Sequence, residues 1–179
     1  MHTALVILLA VVGLIVLLLI LGLFMKKEYL IERNVTINKP VQEVFDYVKL
    51  LKNQENYNKW WMLDPSAKKE FIGTDGTVGF IAKWDSPNKN AGKGEQEIKS
   101  IRYAERVDTE IRFIRPFENT ADVYMETKAL QGDRTKLSWV FSGANKYPMN
   151  IMFTLLGLQN VLGKDMQAGL ERLKNIVEK

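Results

Sequence analysis

The N-terminal part of the chain contains a long stretch without polar positions. Residues 4–25 carry no charged or hydrogen-bonding side chain, and a helix of a soluble protein is rarely apolar on every face. At 1.5 Å per residue these 22 residues form a helix of about 33 Å, which matches a hydrocarbon core of roughly 30 Å. The pattern predicts a transmembrane anchor over residues 1–26 and a folded domain over residues 27–179.

The flanks of this stretch favour an uncleaved anchor over a signal peptide. A cleaved signal has a basic segment before a shorter apolar run and small residues at its cleavage site. Here residues 1–3 contain no Lys or Arg, and Lys26 and Lys27 follow the stretch. Because basic residues favour the cytoplasmic side, we expect a single-pass membrane protein whose folded domain lies in the cytoplasm.

Beyond the anchor, the spacing of apolar residues predicts one strand and two short helices. Residues 29–37 alternate as in a strand, and residues 38–51 follow helical spacing with Pro40 in the first turn. A second short helix is expected to end at Trp60 and Trp61.

The remaining pattern predicts six strands and one long helix. Between Lys68 and Asn145, alternating segments are separated by turn residues, and connections this short require antiparallel pairing. Gly132 is available for a positive φ in one hairpin. An apolar stripe then runs from Met149 to Val177, with a bend or a close approach to the sheet expected near Gly157. A curved sheet around this helix buries both apolar faces.

Several segments resemble the SRPBCC superfamily of START-like and pollen-allergen-like helix-grip proteins. They are INKPVQEVFDYV, NQENYNKW, GKGEQEI and LGKDMQAGLERLKNIVEK, and the most similar group is the bacterial polyketide cyclase and lipid-transport family. The resemblance covers residues 29–178. It implies an α+β fold in which a seven-stranded antiparallel sheet wraps around the C-terminal helix and encloses a hydrophobic cavity. It implies no single reaction, because the same fold supports several functions.

Composition excludes several kinds of active site. The chain has no cysteine, and its one histidine is His2, so residues 26–179 contain no Cys-His or Ser-His-Asp system and no His-ligated zinc site. We expect no metal and no cofactor. The net charge of +4 is interspersed along the domain, whereas a nucleic-acid-binding face is a clustered basic patch. No nucleic-acid partner is expected.

Aromatic and flexible apolar residues are the candidates for a ligand cavity. Trp60 and Trp61 occupy the segment that closes one end of the cavity in the similar family, although core packing or contact with the membrane interface also suits them. The candidates from the strands and the C-terminal helix are Phe80, Trp84, Phe113, Met125, Trp139, Phe141, Met152, Leu155, Gln159 and Met166.

Two alternatives use charged residues. Glu95 and Glu97 fall on one strand face, where paired carboxylates can act as acid and base. The pairs Asp108/Glu110 and Glu118/Asp122 lack metal-ligand spacing. Four lysines lie in or beside loops that an anionic membrane or ligand head would attract: Lys68, Lys69, Lys89 and Lys93.

These features predict a membrane-anchored module that binds a hydrophobic or lipid-like molecule. The alternatives are a cyclase or dehydratase that uses carboxylates or tyrosines, and an interaction module whose interior is filled by its own side chains.

Overall fold

The computed structural model describes residues 2–179, which begin with the apolar helix α1, His2–Phe24. Among these residues α1 is the one helix long and apolar enough to cross a membrane, a criterion that a signal sequence also meets. Its residues are exposed except near its C-terminal end, where Leu18 is half-buried and Gly22 is buried. The greater part of α1 therefore projects from the rest of the protein.

Seven antiparallel strands form one sheet in the order β1-β7-β6-β5-β4-β3-β2. They are β1 (Glu28–Ile37), β2 (Lys68–Ile72), β3 (Ile81–Asp85), β4 (Lys93–Arg102), β5 (Arg106–Arg115), β6 (Asn119–Leu130) and β7 (Arg134–Ala144). The sequence prediction of seven antiparallel strands is confirmed. Gly132 adopts a φ of +71° in the β6–β7 hairpin, as predicted.

The segment between β1 and β2 contains three short helical elements. Helix α2 spans Val41–Val48, a 3-10 turn spans Leu51–Asn56, and α3 spans Lys59–Met62. The predicted second helix is therefore divided, because Asn58 is the N-cap of α3 and its side chain accepts a hydrogen bond from the Trp60 amide. This cap sets the position of both tryptophans.

The C-terminal segment is two helices, α4 (Met149–Leu155) and α5 (Leu158–Val177). Gly157 separates them in the left-handed conformation, with a φ of +59°, so the bend expected there is a complete break. Helix α5 packs on the sheet, where a Cβ at Gly169 would lie 3.0 Å from the Trp139 ring. Leu170 and Leu173 are fully buried in the core between them.

One end of the sheet carries α1. Helix α1 ends at Phe24, and β1 begins at Glu28, which is paired with Ala144 at the end of β7. The same end holds the start of β6, the end of β5, the start of β4, the end of β3 and the start of β2. We call this end the α1-proximal rim. Its loops are residues 63–67, 86–92, 116–118 and 145–148.

Candidate functional site

A cavity of about 440 Å³ lies between the sheet, α3 and α5. Small-molecule sites in proteins have volumes of about 300–1,000 Å³. The strands contribute Ile111 and Val123 to its wall, and α5 contributes Leu162 and Met166. The interior of the fold is thus not completely filled by its own side chains.

All four tryptophans of the chain line this cavity. The Trp60 and Trp139 rings make an edge-to-face contact with centroids 6.5 Å apart. The ring centroids of Trp61 and Trp84 are 5.7 Å apart. Trp84 donates a hydrogen bond of 2.9 Å from Nε1 to the Ala91 carbonyl oxygen. These contacts hold large aromatic surfaces around an open space.

Five uncharged amides line the cavity, at Gln54, Asn58, Gln96, Asn119 and Asn145, and the half-buried Asp64 and Lys69 are charged groups of the same wall. The buried Asn58 side chain donates a 2.9 Å hydrogen bond to Gln54, and Gln96 donates one of 2.9 Å to the Thr109 hydroxyl. Because an amide both donates and accepts hydrogen bonds, these groups suit a ligand with a polar head on an apolar body.

The mouth of the cavity lies on the α1-proximal rim. The exposed wall residues are Lys89, Asn90, Arg115 and Pro116. They belong to the β3–β4 loop, the end of β5 and the β5–β6 turn. Arg115 forms an ion pair with Asp85, which Lys93 also binds at 2.8 Å. The Lys93 hydrogen bond holds the pKa of Asp85 below its usual range.

Two titratable groups of the wall, Asp64 and Tyr29, do not suit proton transfer near neutral pH. Asp64 accepts hydrogen bonds from Ser66 and Ser86, and these lower the pKa of its carboxyl group. Burial raises the pKa of the Tyr29 hydroxyl to about 12. Tyr29 stacks on Phe153 with centroids 4.9 Å apart, so it contributes an aromatic wall that stays protonated.

The structure places seven of the twelve cavity candidates in the wall: Trp60, Trp61, Trp84, Phe113, Trp139, Phe141 and Met166. Phe80 and Met125 instead lie in the packed core, at 1% and 5% exposure. Phe80 stacks on Phe71, and Met125 accepts a hydrogen bond of 3.8 Å at its sulfur from the Tyr57 hydroxyl. Neighbouring side chains therefore separate both residues from the cavity.

Met152, Leu155 and Gln159 lie on the outer surface. A continuous helix would have put Met152 and Leu155 on the same face as Met166, but the break at Gly157 changes the rotation of α4. As a result Phe153, which had not been identified as a candidate, is the α4 residue in the wall. Leu158 and Leu162 of α5, also not predicted, line the cavity; the periodicity of the apolar stripe is the signal that would have found Leu162.

The paired carboxylates of β4 are not directed to the cavity. Glu95 and Glu97 alternate with the inward-facing Gln96 and lie on the outer face of the sheet. Arg112 binds both of them, at 2.7 and 2.8 Å, and also contacts Glu110. The Arg112 hydrogen bond lowers the pKa of Glu97. Within residues 2–179 no group of three or more His, Cys, Asp or Glu side chains has an arrangement that would hold a metal ion.

Solved structures with the same architecture include protein MLL2253 from Mesorhizobium loti, at 12% identity and a TM-score of 0.61 over 84% of this chain and 97% of that chain. Ara h 8.0201 matches at 17% identity and a TM-score of 0.55 over the same shares. The chain has the helix-grip fold. Aha1 from Colwellia psychrerythraea shares it at 10% identity and a TM-score of 0.56, over 84% of this chain and 96% of that chain.

At these identities the likeness establishes the fold alone. No protein-family profile and no curated protein matches the sequence. The function of this helix-grip protein must therefore be inferred from its own cavity.

Proposed function

We propose that this helix-grip protein is a membrane-anchored module that binds a hydrophobic or amphipathic, lipid-like molecule. The observation that carries the proposal is the cavity of about 440 Å³ walled by four tryptophans. An apolar wall with a few convergent polar groups is the usual composition of a small-molecule site. In this proposal residues 1–26 are the anchor and residues 27–179 are a cytoplasmic binding domain related to the polyketide cyclase and lipid-transport group.

The distribution of polar groups indicates how a ligand is oriented. Lys89 and Arg115 lie at the mouth, and the walls farther in are formed by side chains such as Ile111, Val123 and Met166. An amphiphile bound with its apolar part inside and an anionic head at the mouth satisfies both regions. The amides of Gln54 and Gln96 supply hydrogen bonds for a polar group along the chain of such a ligand.

The anchor is consistent with a ligand that resides in membranes. A tether converts encounter with the bilayer into an intramolecular event and raises the effective concentration of the two partners. Lys26 and Lys27 follow α1 directly, and juxtamembrane basic residues contribute about 1 kcal/mol each near an anionic leaflet.

The enzyme alternative receives less support from the cavity. Among the described residues 2–179, Asp64 is the one carboxylate in the wall, and its lowered pKa makes it a poor proton donor. Glu95 and Glu97 are engaged by Arg112 on the other face of the sheet. A filled interaction module is less consistent with a cavity of this volume.

A fluorescence experiment tests the proposal, because every tryptophan of the chain lines the cavity. The full chain in detergent micelles is titrated with cis-parinaric acid, a fluorescent long-chain carboxylic acid, and energy transfer from tryptophan is recorded. We expect saturable transfer at one probe per chain. The double variant Ile111→Phe/Val123→Phe, which fills the cavity, is expected to lose this transfer.

The matched control is Ile72→Phe/Val78→Phe, at exposed positions outside the cavity. Partition of the probe into micelles is the same for all three proteins, so only cavity binding separates them. Equal transfer in the cavity and control variants, with both folded by circular dichroism, would overturn the proposed site. Native mass spectrometry of the unlabelled chain then identifies any amphiphile that is purified with it.

A further inference from the structure

The α1-proximal rim combines the mouth of the cavity, the end of α1 and a group of exposed apolar side chains. Strand pairing puts the start of β1 and the ends of β3 and β5 on this rim. The exposed wall residues Lys89 and Arg115 lie on its loops. The cavity therefore opens toward the same end of the sheet from which α1 leaves.

Helix α1 is docked on this rim by specific contacts with α4 and with the loop that precedes α4. The Asn150 side chain donates a hydrogen bond of 2.8 Å to the Gly22 carbonyl oxygen, and the Tyr147 hydroxyl donates one of 3.2 Å to the Leu19 carbonyl oxygen. A Cβ at Gly22 would collide with the Ile151 side chain, so α1 and α4 are in close contact at this point. The direction of α1 relative to the cavity mouth is set by these contacts.

The outer side of α4 is apolar, and no element within residues 2–179 covers it. Met152, Leu155 and Leu156 are 53%, 62% and 60% exposed. The β5–β6 turn adds Phe117, at 63% exposure, on the same rim. Exposed apolar groups of this size near one another mark a surface that meets a partner or a membrane.

The depth of α4 along α1 identifies the bilayer as that partner. Leu19 lies five residues before Phe24, which is about 7.5 Å along the helix axis. If α1 spans the membrane, the segment from Tyr147 to Asn150, which contacts α1 at Leu19 and Gly22, lies within the interfacial layer, and α4 begins in this segment. Amphipathic segments in that layer bury their apolar face by about 5–10 Å.

The charges of the rim agree with this placement. Lys26, Lys27 and Lys146 are exposed next to α1 and α4, where anionic headgroups attract basic side chains. Of the acidic groups of the rim, Asp85 is bound by Lys93 and Arg115, whereas Glu28 and Glu118 are exposed. The exposed Lys26, Lys27, Lys89 and Lys146 outnumber these two glutamates.

We infer that the outer face of α4 and the β5–β6 turn insert into the membrane interface, so that the cavity mouth opens onto the leaflet that holds the C-terminal end of α1. This inference rests on the proposed function for its anchor. It adds a second membrane contact and a route by which a bilayer-resident amphiphile enters the cavity without crossing bulk water. Phe153 and Leu158 line the cavity beside the α4–α5 joint.

The absence of cysteine in the chain allows each position to be labelled singly. The full chain is reconstituted into vesicles of phosphatidylcholine and phosphatidylglycerol that contain nitroxide-labelled phosphatidylcholine. A fluorophore is attached at Leu155→Cys, at Val78→Cys or at Val12→Cys. Val78 is a matched control because it is as exposed as Leu155, at 62%, in the loop at the opposite end of the sheet.

The inference requires strong quenching at Leu155→Cys and at Val12→Cys, and none at Val78→Cys. Quenching at Val12→Cys without quenching at Leu155→Cys would overturn the inserted rim and leave the anchor intact. Loss of quenching at Val12→Cys itself would instead overturn the anchor of the proposed function, and the inference with it. The parinaric acid titration on each unlabelled variant reports whether the cavity is preserved.

Discussion

The side-chain amide of Asn150 donates a hydrogen bond of 2.8 Å to the carbonyl oxygen of Gly22 in the last turn of α1. The last four carbonyl groups of a helix have no partner within that helix, and Asn150 supplies one from α4. The same amide lies 3.4 Å from the Met25 carbonyl oxygen. Asn150 is 1% exposed, so the domain and the end of α1 share a buried polar contact.

Replacement of this amide by a carboxylate removes the donor without changing the shape of the side chain. We expect Asn150→Asp to lower the free energy of unfolding by at least about 1–3 kcal/mol, because a buried carbonyl is left without a partner and a buried carboxylate is placed beside carbonyl oxygens. Lys26 and Lys27 are already exposed, and release of α1 frees the backbone around them, so trypsin should cleave there faster. Asn160→Asp, at an exposed site on α5, is the control. Cleavage of Asn150→Asp at the wild-type rate would show that the amide does not hold α1 on α4.

The break between α4 and α5 depends on the backbone conformation of Gly157. Its φ is +59°, and the nearest atom to an added Cβ is 4.0 Å away, so the cost of a side chain is conformational. We expect Gly157→Ala to lower the free energy of unfolding by about 1 kcal/mol. Gly157→Asn should cost less, because asparagine tolerates the left-handed region. Urea unfolding followed by tryptophan fluorescence measures both, and equal losses would contradict this explanation.

Arg112 is the centre of an ion-pair network with Glu95, Glu97 and Glu110. Its removal leaves three half-buried carboxylates next to one another, so Arg112→Gln should lower the free energy of unfolding by about 1–2 kcal/mol at pH 7. The pKa of Glu97 is lowered in the folded state, so its contribution is present above the unfolded-state value and is lost as the pH falls through the lowered value.

The stability difference between wild type and Arg112→Gln should therefore decrease in acid, where Glu97 becomes protonated. Urea unfolding from pH 7 down to pH 3 measures this dependence. Arg102→Gln is the control, since its pair with Glu105 is 3.9 Å apart and mostly exposed. A difference that does not change with pH would mean that Arg112 stabilises the sheet through packing rather than charge.

The cations at the cavity mouth predict a preference for anionic ligands. Lys89 is exposed, so its loss should weaken the binding of parinaric acid by up to about fivefold, the effect of about 1 kcal/mol for an exposed charge. The methyl ester of the same probe, which carries no charge, should bind Lys89→Gln and the wild type equally. Titration with both probes distinguishes the loss of the Lys89 charge from a distortion of its loop, because a distorted loop would weaken the binding of both probes.

The antiparallel pairing of the consecutive strands β2 to β7 was predictable, because each strand shows local alternation and the connections between them are short. The pairing of β1 with β7 was not, because no short connection joins those two strands. The cavity tryptophans were recognisable for a related reason, since Trp84 and Trp139 alternate with outward residues on their strands. Phe80 and Met125 meet the same pattern but lie in the core. Periodicity assigns a residue to a face of the sheet, whereas the position of the cavity along that face depends on how α3 and α5 pack.

The rotation of α4 was not predictable from its apolar stripe. The pattern from Met149 to Val177 is that of one helix, and Gly157 suggested a bend but not its size. A left-handed residue at this position changes which side chains of α4 face inward, so Phe153 lines the cavity and Leu155 faces outward. The polar wall residues Asn119 and Asn145 gave no periodic signal, because they lie at the ends of strands.

Insertion of α4 into the membrane interface predicts a defect in ligand uptake when its outer face is made acidic. Leu155→Asp/Leu156→Asp removes two apolar side chains, each of which gains about 1.5–3 kcal/mol on full burial, and adds charges that an anionic leaflet repels. Uptake of parinaric acid from anionic vesicles should slow by at least about tenfold. Uptake of the same probe from a cyclodextrin complex should remain unchanged, because the cavity itself is intact. Val78→Asp serves as the control at the opposite end of the sheet. If the double variant took up the probe slowly from both the vesicles and the cyclodextrin complex, the substitutions would have changed the cavity rather than the contact of α4 with the membrane.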